Sequence, residues 1–329
     1  MKHLERALQG KNGIGRYVAL LLIAFVGGSM VGSIPLAIVM IVKAVTSGSM
    51  GAVTSPNYMD LSVYGISNNA GLILILLTFV VIFFTFAVLV KPFHGRTLKE
   101  TINGRKHIRW NRIWMGIIVW GIILLVSFAV SYITSSEELE FRFNPTAFIG
   151  LLLIVLIILP FQTSIEEILF RGYLAQGVAR WTKSRWWALI IPSVLFALMH
   201  SANPEIMKFG FWSMMPNYLL IGLMFGLISL LDDGIELALG VHFINNAFGA
   251  LFITHQDSAL QTDALFLVHN VDPAASLIET AIATVVGVAV LWRIYKWNFG
   301  ILNKKVEVVP PPIPLVVQPQ TNQIIDIEK

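Results

Sequence analysis

The sequence predicts an all-α membrane protein, a bundle of about eight transmembrane helices with both termini in the cytoplasm. Of the 329 residues, 56% are hydrophobic and only 13% are charged, whereas soluble domains average about 25% charged residues. The mean hydropathy is +0.74, and several apolar runs approach the roughly 20 residues that cross a bilayer. This composition excludes a disordered chain, a nucleic-acid scaffold and an ordinary soluble enzyme.

Eight apolar segments are expected to form the membrane helices. They are 17–42, 70–90, 113–133, 146–162 with a helical extension, 186–201, 211–231, 236–254 and 274–294. The fourth segment continues into a polar stretch, and the fifth is short. The first is longer than the core of a signal peptide, so we interpret it as an uncleaved helix.

The connecting loops alternate in charge, which predicts the orientation of the bundle. The stretch 91–112 contains seven Lys and Arg residues and 293–305 contains four, whereas 46–69 and 255–273 contain none. Because cytoplasmic loops carry the excess of Lys and Arg, this alternation places both termini in the cytoplasm. The isoelectric point near 9.3 therefore reflects topology, and we expect no nucleic-acid partner.

The apolar runs and the loops between them divide the chain into four regions. Residues 1–145 contain three N-terminal helices, 146–254 a helical core, 255–302 an outer loop with the last helix, and 303–329 a proline-rich, mobile cytoplasmic tail. Two glycine pairs, Gly28 with Gly32 and Gly222 with Gly226, predict close helix packing. The chain has no cysteine, which excludes disulfides and a thiol nucleophile.

Three ionisable residues follow the apolar part of the fourth segment: Glu166, Glu167 and Arg171. Glu167 and Arg171 are four residues apart, so on a helix they share a face and can pair. Glu166 lies about 100° further round the helix, and an unpaired, partly desolvated glutamate can act as a general base. In the alternative interpretation, the three residues only mark the cytoplasmic end of the helix.

Two further membrane segments carry histidines. Phe196 and His200 are four residues apart in the fifth segment, and His242 and Asn246 have the same spacing in the seventh. A single membrane histidine is nearly as often a packing residue as a catalyst. Together with the glutamates, however, these side chains form a set that can activate a water molecule and stabilise an oxyanion.

The other titratable residues are weaker candidates. Five histidines lie in basic or acidic loops: His3, His94, His107, His255 and His269. Glu279 is expected at the membrane interface, and Glu236, at the start of the seventh helix, is only a marginal candidate for substrate contact. The sequence contains neither HExxH nor GxSxG, so the usual zincin and serine-hydrolase frames are absent.

The ordered motifs Glu166-Glu167-x-x-x-Arg171, Phe196-x-x-x-His200 and His242-x-x-x-Asn246 resemble those of the CPBP intramembrane proteases. That family includes the type II CAAX prenyl endopeptidases and bacteriocin-processing relatives, and the resemblance covers about residues 146–254. It implies that Glu166 activates water with help from His200, and that His242 and Asn246 stabilise the oxyanion. Glu167, Arg171 and Phe196 match supporting positions.

The resemblance leaves the metal question open, because the family has been described both as metal-dependent and as glutamate-type. Glu166, His200 and His242 are the candidate ligands, since Glu/His/His sets bind zinc elsewhere. We slightly favour the metal-free mechanism, so no cofactor is required and zinc is the alternative.

The expected function is hydrolysis of a peptide bond in a membrane-associated or lipidated substrate. The expected partners are the lipid bilayer and a peptide or lipidated protein. We expect a bacterial or archaeal cell membrane and a cavity that opens toward the cytoplasm. The alternatives are a non-catalytic scaffold or immunity protein that binds a peptide, and a proton-coupled carrier.

Geometry sets a condition on this site. At about 1.5 Å per residue, His242 lies roughly 9 Å into the seventh helix and His200 about 21 Å into the fifth. They meet only if the fifth helix is tilted or starts early and the fourth is broken near Pro160. Side chains more than about 10 Å apart cannot share one water molecule.

Overall fold

The structure is a computed structural model that describes residues 3–47, 61–105 and 107–307. Each of the eight apolar segments corresponds to a helix. The bounds are α1 Ile14–Thr46, α2 Asn68–His94, α3 Trp110–Thr134, α4 Pro145–Thr182, α5 Arg185–Met199, α6 Phe211–Leu231, α7 Glu236–Leu251 and α8 Pro273–Tyr295. The proline-rich tail falls outside the described residues from 308 onward.

Within the described ranges, six helices are long and apolar enough to cross a membrane: α1, α2, α3, α4, α6 and α8. The remaining two are shorter, since α5 has 15 residues and α7 has 16. Both carry candidate site residues, so the site is built partly from helices that are shorter than a full span. The protein is a helical membrane bundle, and its lipid-facing surface is apolar, as the exposed Met30, Val88 and Ile133 illustrate.

Two helices contain irregular turns. In α1, a π-helical turn occupies Leu22–Gly27, and the helix is interrupted at Ser33, two residues before Pro35, whose missing N–H and ring disrupt the preceding turn. In α4, Pro145–Ile157 and Leu159–Glu167 are separated at Ile158, just before Pro160, and a π-helical turn follows at Ile168–Leu174. The break expected near Pro160 is therefore present.

Short elements connect the bundle. Two single-turn α-helices are Leu98–Ile102 and Pro204–Phe209, and the 3-10 turns are Glu5–Leu8, Leu61–Tyr64, Ser136–Glu138 and Phe299–Asn303. The strands β1 Leu139–Phe141, β2 Ile253–His255 and β3 Phe266–Val268 form a sheet in the order β1-β3-β2. β3 pairs antiparallel with β1 and parallel with β2.

Glycines bring the helices into close contact. A Cβ on Gly240 of α7 would lie 2.1 Å from the Ile113 carbonyl oxygen of the α3 backbone, and one on Gly116 would lie 2.5 Å from the Leu237 oxygen. The predicted role of the two glycine pairs is confirmed. Gly32 packs on the Thr78 backbone, and Gly222 packs on the Ser193 oxygen. Small residues allow this approach because helix association in lipid depends on close packing.

The two ends of the bundle differ in chemistry. The basic end comprises 3–13, 95–105, 107–112, 180–185, 232–235 and 296–307. There, ion pairs join Arg105 to Asp233 and Arg109 to both Asp232 and Glu236. At the sheet end, which comprises 135–144, 200–210 and 252–272, the backbone N–H of Arg142 donates to the Leu265 oxygen. Each helix from α2 to α8 runs from one end to the other.

Candidate functional site

A cavity of about 410 Å³ lies among α2, α4, α5, α6 and α7. Most of its wall is apolar, and its polar lining comes from three helices and from the sheet end. The polar side chains are Gln162, Glu166, His200, Asn203, Glu205, Tyr218, His242, Asn245, Asn246, His255 and Ser258. A largely apolar cavity with a few convergent polar groups is the usual form of a ligand site.

Glu166 lies in this cavity on the segment of α4 that follows the break. Its Oε1 accepts a hydrogen bond from Gln162 Nε2 at 2.5 Å. Its Oε2 is buried without a hydrogen-bond partner and lies 3.6 Å from His242 Nε2. An unpaired carboxylate oxygen in a partly dry cavity is costly unless a ligand or water satisfies it. Oε2 of Glu166 can therefore accept a hydrogen bond from a group bound in the cavity.

The neighbouring Glu167 is fully buried and belongs to a different set of contacts. Its Oε1 accepts from Arg171 at 2.8 Å and from His242 Nδ1 at 2.8 Å. The Arg171 guanidinium also donates to the Gly222 oxygen at 3.0 Å and lies 4.2 Å from the centre of the Phe196 ring. Glu167 thus links α4 to the histidine of α7, while Arg171 links α4 to α6.

His242 is held between the two glutamates. Because Nδ1 donates to the Glu167 carboxylate, Nε2 of the neutral ring is an acceptor on the side that faces Glu166. Asn246 Nδ2 lies 3.3 Å from this Nε2 and also donates to Gln162 Oε1 at 3.2 Å. The imidazole stacks on Phe225 with ring centres 4.9 Å apart. These contacts fix both the tautomer and the plane of the ring.

His200 ends α5 at its C-cap and reaches the cavity from the opposite wall. Its Nδ1 donates to the Phe196 oxygen at 2.8 Å, which leaves Nε2 as the acceptor of the neutral ring. The ring stacks on Tyr218 at 4.5 Å between centres. Phe196 connects the two histidines, since its ring centre is 4.6 Å from that of His200 and 6.2 Å from that of His242.

A second polar group borders the cavity toward the sheet end. Glu205 Oε1 accepts hydrogen bonds from the Tyr218 hydroxyl and from Asn203 Nδ2, and its Oε2 is buried without a partner. His255 lies on the same side of the cavity, at its rim. Burial lowers the pKa of its imidazole below the ordinary value, and the negative charges of Glu205 and Asp257 partly offset this decrease. The rim is therefore polar, with a net excess of acidic side chains.

With this geometry in view, residues 145–248 match the family described as type II CAAX prenyl endopeptidase Rce1-like. This segment is Rce1-like. It contains all the candidate site residues, and the resemblance to CAAX-type proteases is confirmed over it. Rce1-like proteins are a CAAX protease family, and this segment is similar to them.

One curated relative extends beyond this segment. The chain is 32% identical over 164 residues to YyaK of Bacillus subtilis (strain 168), which is described as an uncharacterized protein. The alignment covers 50% of this chain and 54% of YyaK, so the chain spans about half the length of the curated relative. No solved structure matches the chain.

The Rce1-like segment brings the predicted residues together in two layers. Glu166, His200, His242 and Asn246 line the cavity, and Phe196 separates the two histidines. Glu167 and Arg171 form the expected ion pair behind them, with side chains 0% and 1% exposed. Within the described part of the chain, no hydrogen bond or ion pair joins His200 to Glu166. The roles assigned to these residues stay predictions.

Several polar residues of the cavity were not predicted as site residues from the sequence, among them Gln162, Tyr218 and His255. Gln162 precedes Glu166 by four residues, so helical spacing alone could have identified it. Tyr218 carries no comparable signal, because nothing in the pattern of α6 distinguishes its polar face. His255, expected in an acidic loop, lies in β2, and the pairing of β2 with β3 places it in the cavity lining.

The remaining candidates lie elsewhere. Glu236 is buried at the basic end, where it binds Arg109 and Asn103 away from the cavity, so it does not contact a substrate there. Glu279 is exposed on α8. Residues of the sheet end line the cavity, among them Asn203, His255 and Ser258. The direction in which the cavity opens stays a prediction.

The three candidate metal ligands do not fit a metal ion as arranged. Within the described residues, no group of three or more His, Asp or Glu side chains is placed to hold one. Glu166 and His242 are neighbours, but the His200 ring is directed by its bond to the Phe196 oxygen and its stacking on Tyr218. We therefore derive no step through a metal.

Proposed function

We propose that the chain is an intramembrane endopeptidase that hydrolyses a peptide bond of a membrane-associated or lipidated substrate by activating water. The observation that most directly supports this proposal is the carboxylate of Glu166. Its Oε2 is buried without a hydrogen-bond partner and lies 3.6 Å from His242 Nε2, in a cavity of about 410 Å³. The Rce1-like match supports the same class of reaction. The substrate is a peptide segment with one bond accessible inside the bundle.

The proposed chemistry begins with a water molecule at Glu166. Glu166 accepts a proton from this water while the oxygen forms a bond to the scissile carbonyl carbon. His200, whose Nε2 is an acceptor, orients the water from the other wall. The proton held by Glu166 then passes to the leaving nitrogen as the C–N bond breaks, so the carboxylate is regenerated.

His242 and Asn246 are proposed to stabilise the charge that develops on the carbonyl oxygen. The Asn246 amide supplies an N–H donor, and the His242 ring supplies a second when a proton is bound at Nε2. Glu167 accepts the hydrogen bond from Nδ1 and so holds the ring with Nε2 toward the cavity. Removing one such donor from an oxyanion site typically costs about 10²–10³ in kcat.

Arg171 and Glu167 are proposed as positioning residues. Their pair is buried and anchors α4 to α6 and α7 through Gly222 and His242. Supporting groups of this kind hold a catalytic side chain within the narrow range of geometry that a reaction requires.

The test compares newly created peptide termini in host membranes that contain wild type, Glu166→Gln or Glu279→Gln at equal abundance. Glu279→Gln is the matched control, because it makes the same change on an exposed membrane helix away from the cavity. We expect a set of termini in wild type and the control that falls at least about 100-fold in Glu166→Gln. Unchanged termini in a folded Glu166→Gln protein would refute the proposal and favour the peptide-binding scaffold or the carrier.

A chelator titration tests the metal-free part of the mechanism separately. We propose that no cofactor is required, so cleavage by purified protein should persist after prolonged treatment with a zinc chelator. Loss of cleavage that zinc alone restores would replace this mechanism with a zinc-dependent one, with Glu166, His200 and His242 rearranged as ligands.

We further propose a bacterial or archaeal membrane as the location.

A further inference from the structure

The cavity has its rim at the sheet end of the bundle. Its lining includes Asn203 and Glu205, which follow α5, and His255, Ser258 and Leu260, which follow α7. Hydrogen bonds hold the connecting segments in place at that end. Asn68 at the start of α2 donates to Asp263 at 2.7 Å, and the β2–β3 pairing holds the 253–268 loop in place. The cavity therefore reaches the sheet end of the bundle.

The opposite side of the site is filled with protein. Behind the candidate catalytic layer lie the fully buried Glu167 and the Arg171 guanidinium. Next comes Gln176, which donates to the His3 oxygen at 2.9 Å, and the His3 ring lies 3.0 Å from the Arg171 oxygen. Glu167, Arg171, Gln176 and His3 are each 2% exposed or less. In the described part of the chain, this layer separates Glu166 from the basic end.

The charges at the two ends are strongly unequal. In and beside the basic end, the sequence has seven Lys and Arg residues in 91–112, three in 180–185 and four in 293–305. The sheet end has only Arg142 and Lys208 in 135–144, 200–210 and 252–272. Since Lys and Arg are retained on the cytoplasmic side, the basic end faces the cytoplasm.

These observations together reverse the expected direction of access. We infer that the active cavity opens on the non-cytoplasmic face of the membrane, and that the substrate is a membrane-anchored peptide segment exposed on that face. This inference about the substrate rests on the proposed function, whereas the inference about access does not. A lipidated protein confined to the cytoplasmic leaflet cannot reach Glu166 through this opening.

The absence of cysteine makes the direction of access measurable. Single cysteines are placed by Ala259→Cys at the rim and by Asn111→Cys, an exposed neutral position at the basic end. Each variant is treated with a membrane-impermeant maleimide in right-side-out spheroplasts and in inverted vesicles. Equal labelling of both after detergent solubilisation is the control for folding and thiol reactivity.

We expect Ala259→Cys to be labelled at least tenfold faster in spheroplasts than in inverted vesicles, and Asn111→Cys to show the opposite ratio. The reverse pattern would overturn the inference, as would equal labelling of Ala259→Cys from both sides. Gln256→Cys, on the same loop, replaces Ala259→Cys if that variant does not fold. Its labelling from the cytoplasmic side would overturn the inference in the same way.

The labelling result is independent of catalysis, so the two proposals fail separately. If Ala259→Cys is labelled from outside but Glu166→Gln leaves all peptide termini unchanged, access is confirmed and the peptidase is refuted. If termini disappear in Glu166→Gln but the rim is labelled only from the cytoplasm, the peptidase stands and the inferred substrate class is wrong. The new termini should otherwise map to exported segments.

Discussion

Replacing Arg171 by Met tests whether the buried ion pair holds the site together. The guanidinium is 1% exposed and its partner Glu167 is 0% exposed, so the variant leaves a carboxylate in the protein interior with only the His242 ring beside it. Breaking a buried pair by removing one partner typically costs about 3–5 kcal/mol. The folding equilibrium constant should therefore fall by a factor of about 10² to nearly 10⁴ at a given denaturant concentration.

The assay is reversible denaturation in mixed micelles, with Arg105→Met as the matched control. Arg105 pairs with Asp233 at 3.0 Å but is 40% exposed, and exposed pairs contribute about 0–1 kcal/mol. The double variant Glu167→Leu, Arg171→Met should recover part of the loss, because no uncompensated charge remains. A cost for Arg171→Met as small as that of Arg105→Met, or full additivity in the double variant, would contradict the reasoning.

Three further predictions address the cavity, the helix packing and pH. Gln162→Leu removes the hydrogen-bond donor to Glu166 Oε1, so kcat should fall at least about tenfold while stability in micelles changes little. An unchanged kcat would show that Gln162 does not position Glu166. Gly240→Ala should destabilise the bundle by about 1–3 kcal/mol because its Cβ meets the α3 backbone, whereas Gly249→Ala on the same helix meets nothing within 4 Å and should be neutral in a thermal melt. His255 has a lowered pKa in the folded state, so the unfolded chain binds the proton first as the pH falls through about 6.5. Wild type should then lose more stability than His255→Gln between pH 7.5 and 5.5, and parallel curves would be evidence against a buried neutral His255.

Much of the fold could be predicted because hydrophobic runs and loop charges are local properties of the sequence. All eight apolar segments are helices, and the break at Ile158 follows from the ring of Pro160. Local patterns could not show that α5 and α7 are shorter than a full span. Nor could they show that Leu139–Phe141 and Ile253–His255 meet in one sheet with Phe266–Val268, because such pairing depends on contacts distant in the chain.

The parts of the site that depend on helical spacing could be predicted from the sequence. The parts that depend on tertiary contacts could not. The pairing of Glu167 with Arg171 follows from four-residue spacing, and the structure contains it. The same spacing does not reveal that His242 Nδ1 approaches Glu167 rather than Glu166, since that choice depends on how α7 packs against α3 through Gly240. His255 was missed for a similar reason, because only the sheet returns it to the cavity.

The position of His242 gives the two neighbouring glutamates different contacts with a single ring. Nδ1 is bound to the Glu167 carboxylate at 2.8 Å, while Nε2 faces Glu166 Oε2 at 3.6 Å, beyond hydrogen-bond distance. Glu167→Gln still offers an oxygen acceptor to Nδ1 but can no longer form the ion pair with Arg171. If the buried carboxylate positions His242 for the oxyanion, this variant should keep substrate binding and lower kcat in the folded enzyme. If His242 only packs against Phe225, kcat will fall only in proportion to the loss of folded protein.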